Sequence, residues 1–114
     1  MAEMEIEDDA ERTEVRLKGR LDIEGVQQVE NRFALHVGSR RRPTLVDLSE
    51  LEFIASLGLG MLLRAARGLS AHQARMVLVG PRDLVARALT AAGFEHLIPI
   101  AADRDEAVKL LEGP

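Results

Sequence analysis

Apolar positions recur along this chain at two alternating periods. Thr13-Glu14-Val15-Arg16-Leu17-Lys18-Gly19 alternates polar and apolar, the period-two mark of a half-buried strand. A weaker strand, Met4 to Glu7, precedes it and would pair with it through a turn at Asp8-Asp9. Between Ile23 and Val37 the period changes. Ile23, Val26, Val29, Phe33 and Val37 are spaced by three and four, which predicts a helix with one apolar face. Asp22 is its expected N-cap and Gly38-Ser39 its stop.

Thr44 to Leu48 is short and almost continuously apolar, as in a strand covered on both faces. A strand end is expected near Ile54, followed by a helix with Leu59, Leu62, Leu63, Ala66 and Leu69 as its stripe. Met76 to Val79 predicts another buried strand, closed by Gly80-Pro81. Leu84, Val85, Ala88, Leu89 and Ala92 predict a third helix ending at Gly93. Leu97 to Ile100 reads as a last strand, and Pro99, which cannot donate to a ladder, favours an edge position for it. Asp103 then caps a short helix to about Leu111. The order β-β-α-β-α-β-α-β-α predicts a small α/β domain whose mostly parallel sheet is joined by crossover helices.

Composition narrows the function more than the fold. The 114 residues suit one domain, expected to span 1–114. With 46% hydrophobic and 30% charged residues, the balance is that of a soluble globular chain. Cysteine is absent, so disulfides and thiolate metal sites are excluded. A net charge of −4 argues against a nucleic-acid binder. The acidic start lacks the apolar core of a secretory signal, and no apolar run reaches the roughly 18–20 residues that span a bilayer. A cytoplasmic protein with no direct membrane insertion is expected. The basic run Arg40-Arg41-Arg42 reads first as a solvated loop before a strand, and second as a local anion or partner contact.

Enzyme signatures are thin. Ser56 lies in I-A-S-L-G, without the leading glycine of a nucleophile elbow. His36, His72 and His96 are scattered and read as surface histidines without metal-pair spacing. Gly58-Leu59-Gly60 lacks the rest of a dinucleotide fingerprint, and no phosphate-binding P-loop occurs. No cofactor, metal or catalytic set is therefore expected. Ser56 stands out by position, between a strand end and a helix start, where unpaired backbone N–H groups and the helix dipole favour negative charge. Two roles compete there: a plain helix cap, and a phosphate acceptor gaining about −1.5 to −2 charges.

LVDLSELEFIASLGLGMLLRAARGL, followed by RMVLVGPRDLVARALTAAGFEHLIPI, resembles the STAS domain of bacterial anti-sigma factor antagonists. Gly19-Arg20-Leu21-Asp22 is similar to that family's G-x-L-D motif, and the resemblance runs from about residue 13 to 111. It implies a four- to five-stranded mixed sheet packed against about four helices. It also implies a non-enzymatic regulator that works by partner switching. The unphosphorylated antagonist binds an anti-sigma factor serine kinase; ATP-dependent phosphorylation ends the interaction, and a phosphatase restores it. Matched to the family's D-S-[ST]-G-L-G site, the acceptor is Ser56, Leu57 takes the second hydroxyl position, and Ala55 stands where the family commonly has aspartate. The implied docking surface combines Leu21, Asp22, Ser56, Leu57 and Gly58 with Met61, expected to be exposed early in the second helix. The alternative is a constitutive interaction subunit of a signalling assembly or membrane transporter, without a phosphoswitch. An enzyme or small-ligand carrier is a third reading, without a convergent set of residues behind it. Oligomeric state is left open.

Overall fold

The structure is a computed structural model that describes residues 1–112. Its elements are β1 (Ala2–Ile6), β2 (Thr13–Leu21), α1 (Ile23–Phe33), β3 (Thr44–Ile54), α2 (Ser56–Ser70), β4 (Met76–Val79), α3 (Asp83–Ala91), β5 (Ile100–Ala101) and α4 (Arg104–Glu112). The strands form one five-stranded sheet in the order β1-β2-β3-β4-β5. Only the β1–β2 pair is antiparallel. The mixed sheet and four helices agree with the expected α/β class.

Strand order explains the layering. Each parallel strand is added on the same side of its predecessor, and right-handed crossovers then put α1, α2 and α3 on one face. Val26, Val29, Phe33, Met61, Leu62, Leu69, Val85 and Leu89 from these helices meet Val15, Leu17, Val46, Leu48 and Leu78 of the sheet in one core. Each fully buried leucine there contributes roughly 1.5–3 kcal/mol. Helix α4 folds onto the opposite face, where Ala107 packs with Leu45, Val77, Val79 and Ala101. A bidentate pair secures it: Arg104 Nε and Nη2 donate to Glu14 Oε1 and Oε2 at 2.8 and 3.0 Å. The rest of that face is solvent-facing and charged, with Arg16 among Glu5, Glu7, Asp47 and Glu50.

Several local expectations are corrected. The helix predicted to Val37 is α-helical only to Phe33 and continues as a π turn, Ala34–Gly38, which brings both Phe33 and Val37 fully into the core. His36 is not a surface histidine. The β1–β2 loop folds back over this turn and puts Asp8 Oδ2 at 2.6 Å from His36 Nε2, with side chains 16% and 13% exposed. The basic run secures the same loop: Arg40 pairs with Asp8 at 3.2 Å and Arg42 Nη2 donates to the Asp9 carbonyl at 2.6 Å. The last strand is shorter than Leu97 to Ile100. Phe94–His96 forms a 3-10 turn, Leu97 is exposed, and pairing begins after Pro99, whose carbonyl accepts the Leu78 N–H at 2.9 Å. No helix among the described residues is long and apolar enough to cross a membrane.

Candidate functional site

At the carboxyl end of the sheet, β2 and β3 finish together, with Leu21 and Ile54 in register. The next N–H, that of Ala55, donates to the Leu21 carbonyl at 2.9 Å. This bond hooks the turn out of β3 onto the turn out of β2. It places Asp22 beside Ala55 and Ser56, residues that are 33 or more positions apart along the chain.

Asp22 is the N-cap of α1, as expected. Its backbone is extended (φ −86°, ψ −170°) and its Oδ1 accepts the Gly25 N–H at 2.8 Å. That bond holds the Asp22 carboxyl below its ordinary value, with a further push from Arg20, whose Nε lies 3.7 Å away. The Arg20 guanidinium in turn sits over the Phe53 ring, 4.5 Å from its centroid.

Helix α2 starts differently. Ala55 occupies the N-cap, extended at φ −105° and ψ 177°, and its carbonyl accepts the first helical bond from Leu59 N–H at 3.0 Å. Ser56 is therefore the first helical residue and not the cap, which corrects the reading of Ser56 as a helix cap. The hook to Leu21 fixes where the extended chain ends and leaves the serine one position inside the helix. A methyl group cannot accept a hydrogen bond, so no side chain caps α2, and its first turn has no acidic residue. The leading N–H groups of the helix stay open, with the positive end of the helix dipole behind them.

The remaining expected site residues divide by burial. Ser56 is exposed and Leu57 is 48% exposed. Gly58 is buried because the first turn of α2 lies directly on the strand ends. A Cβ at Gly58 would come within 2.8 Å of Ile54 Cγ1 and 3.0 Å of Leu21 Cβ. Leu21 and Met61 are corrected: at 0% and 4% exposure both face the core and offer no side chain to a partner. Leu21 contributes instead through its carbonyl. Ile23 was missed. It follows Asp22 at the start of α1 and is 63% exposed, and an apolar residue at the first position of a predicted amphipathic helix had been assigned to the buried stripe.

Beyond geometry, a family model described as Mlab, STAS domain matches residues 4–99. The chain belongs to the STAS-domain family. BtrV of Bordetella bronchiseptica, named as an anti-sigma factor antagonist, is 30% identical over 91 residues, which cover 80% of this STAS chain and 78% of BtrV. Among solved structures, an anti-sigma factor antagonist from Mycobacterium paratuberculosis matches with a TM-score of 0.88 at 21% identity, over 99% of this chain and 96% of that one. The anti-sigma factor antagonist SpoIIAA in its unphosphorylated form matches at 0.78 and 23% identity over 98% of each chain. Bacillus SpoIIAA in its phosphorylated form matches at 0.70 and 23%, over 93% of this chain and 96% of that one. These solved structures carry the same STAS fold.

Proposed function

We propose that this STAS domain is an anti-sigma factor antagonist that switches partners by phosphorylation of Ser56. Unphosphorylated, it docks on an anti-sigma factor serine kinase through Asp22, Ile23, Ser56 and Leu57. In the kinase complex the Ser56 hydroxyl oxygen bonds to the γ-phosphorus of ATP, ADP leaves, and the hydroxyl proton passes to the kinase's base. The phosphoserine no longer fits the partner, and a phosphatase hydrolyses it back to serine and inorganic phosphate.

The observation that carries this reading is the open start of α2. Ser56 is exposed on the first turn of a helix whose cap position holds Ala55 and whose first turn has no acid. A phosphate there meets unpaired N–H groups and the helix dipole, an established anion environment. It also sets about −1.5 to −2 charges beside Asp22, turning a mixed polar and apolar surface strongly negative. BtrV and SpoIIAA, both named as antagonists, support the role by similarity. Ala55 and Leu57, in place of the family's aspartate and second hydroxyl, favour the second reading, a constitutive docking subunit.

The test is phosphopeptide mapping after incubation with ATP and a soluble extract of the source organism. Phosphate on the Ser56 peptide, absent without ATP and absent in Ser56→Ala, is the expected result. An unmodified Ser56 in an extract that phosphorylates other proteins would overturn the switch and leave the constitutive subunit.

A further inference from the structure

Besides the short edge strand β5, two stretches of strand lack a neighbour on one side, and the chain treats them differently. Along β1 the outer edge is already engaged by α1. Gln28 Oε1 accepts the Ala2 N–H at 2.7 Å, and Arg32 Nη1 donates to the Met4 carbonyl at 2.9 Å. Covering an edge in this way is how folded proteins keep stray strands from pairing.

The far half of β3 has no such cover. β4 pairs with β3 only from Thr44 to Asp47. There the ladder stops: the register shifts in β3, and the Ser49 N–H turns to Asp47 Oδ1 at 2.8 Å. β4 ends at Val79, and the chain then bends away through Gly80 (φ 62°) and Asp83 (φ 48°) into α3. From Glu50 to Ile54, β3 pairs with β2 alone. Its other side faces a cavity of about 240 Å3, walled by Ser49 to Glu52 and by Arg82 to Leu84. Past Ser49 and Arg82 lies a second space, about 500 Å3, over Gly80 and the end of β5.

An unpaired strand edge flanked by a helix start is the geometry of strand addition, in which backbone bonds give affinity and alternate side chains give selectivity. The charges on the walls select the guest. Glu50 is shared by Arg16 and Lys18, whereas Glu52 and Asp83 have no ion-pair partner among the described residues; Arg82 on the same wall has none either, so two open carboxylates face one open cation. Beside them Leu84 is 55% exposed. A second copy of this edge would bring like carboxylates together, which disfavours self-pairing. A strand carrying lysine or arginine and an apolar residue meets the opposite situation.

We propose that β3 between Glu50 and Ile54 takes up an extended basic peptide segment of a partner protein as an added strand, with its cations on Glu52 and Asp83 and an apolar side chain on Leu84. The probe is a capped peptide of alternating valine and lysine, titrated into the isotope-labelled full chain and followed by amide NMR. Shifts confined to Glu50–Ile54 and Arg82–Val85, with slowed amide exchange in that half of β3, are expected. A valine–glutamate peptide should leave these signals unmoved. Glu52→Lys, a change at an exposed position, should weaken binding by at least about tenfold through like-charge contact, and Asp83→Asn, which keeps a residue tolerant of positive φ, should weaken it less. No shift at millimolar peptide would overturn the proposal. So would shifts spread over Glu5, Glu7 and the Arg16 network, or binding unaffected by Glu52→Lys. Concentration-dependent dimerisation through β3 without peptide would assign the edge to a second copy instead.

Discussion

Helices α1 and α2 begin in the same frame. Asp22-Ile23-Glu24-Gly25 and Ala55-Ser56-Leu57-Gly58 each run from the N-cap through the first helical turn to a buried glycine. Both glycines are there because the turn presses on strand ends. A Cβ at Gly25 would lie 1.8 Å from the Arg20 carbonyl oxygen, and one at Gly58 would lie 2.8 Å from Ile54 Cγ1. What differs is the cap. α1 has a carboxylate bonded to Gly25 N–H and Glu24 behind it; α2 has a methyl group, a hydroxyl and a leucine. One helix start is satisfied permanently by its own chain. The other is left open beside it, and under the proposed switch a covalent anion at Ser56 would fill it.

Breaking the shared frame should cost most. Gly25→Ala sets a methyl against a backbone oxygen that cannot move without dragging the end of β2, so a loss of about 3 kcal/mol is expected in chemical denaturation. Gly58→Ala meets a movable Ile54 side chain first and regains helix propensity, so its loss should be clearly smaller. A Gly25→Ala chain as stable as the wild type would show that the two first turns are not pinned alike.

Removing the cap that α1 has comes next. Asp22→Ala should lower the denaturation midpoint, by less than Gly25→Ala does. The pH dependence has a definite sign. The folded-state pKa of Asp22 is depressed by the Gly25 N–H, so its stabilisation is complete above the ordinary value of 3.8 and lost as pH falls through the lowered folded value. Asp22→Asn keeps a cap but removes this titration, and its thermal midpoint should fall less between pH 5 and pH 3.

Supplying the cap that α2 lacks should give the smallest effect and the opposite sign. Ala55→Asp is expected to stabilise by roughly 1 kcal/mol, the usual worth of an N-cap carboxylate over alanine. If α2 is open as described, the gain should shrink on acidification. No gain at neutral pH would mean that another group already satisfies its first turn.

Much of this arrangement was legible beforehand because the signals were local. Asp22 and Asp103 announced caps by residue type and position, and both accept the expected N–H, from Gly25 and Glu106 at 2.8 and 2.9 Å. Val77 and its neighbours announced a buried strand by lacking any polar residue. The failures came where local signals were ambiguous or the deciding contact was distant. LGLGMLLRAARGL is apolar almost all round, so spacing could not show that Met61, Leu62, Ala65 and Leu69 face inward while Leu59 and Leu63 are only partly buried. Ser56 looked like the cap because serine is a good one, and only the bond from Ala55 to Leu21 moves the cap back one residue. Leu97-Ile98 departs from the strand reading because a strand pattern of four residues cannot outvote a 3-10 turn closed by Leu97 N–H on the Phe94 carbonyl.

Strand order has a consequence for how the molecule assembles. Because spatial order equals chain order, no strand waits for a later one to be inserted beside it. The β1–β2 hairpin can serve as a seed, and each following helix–strand unit can dock on the edge its predecessor leaves, keeping loop closures short. The exception is Glu14 with Arg104, a pair 90 residues apart. It can close only once α4 has arrived, so it acts as a latch on a sheet already built, and its loss should quicken unfolding more than it slows folding.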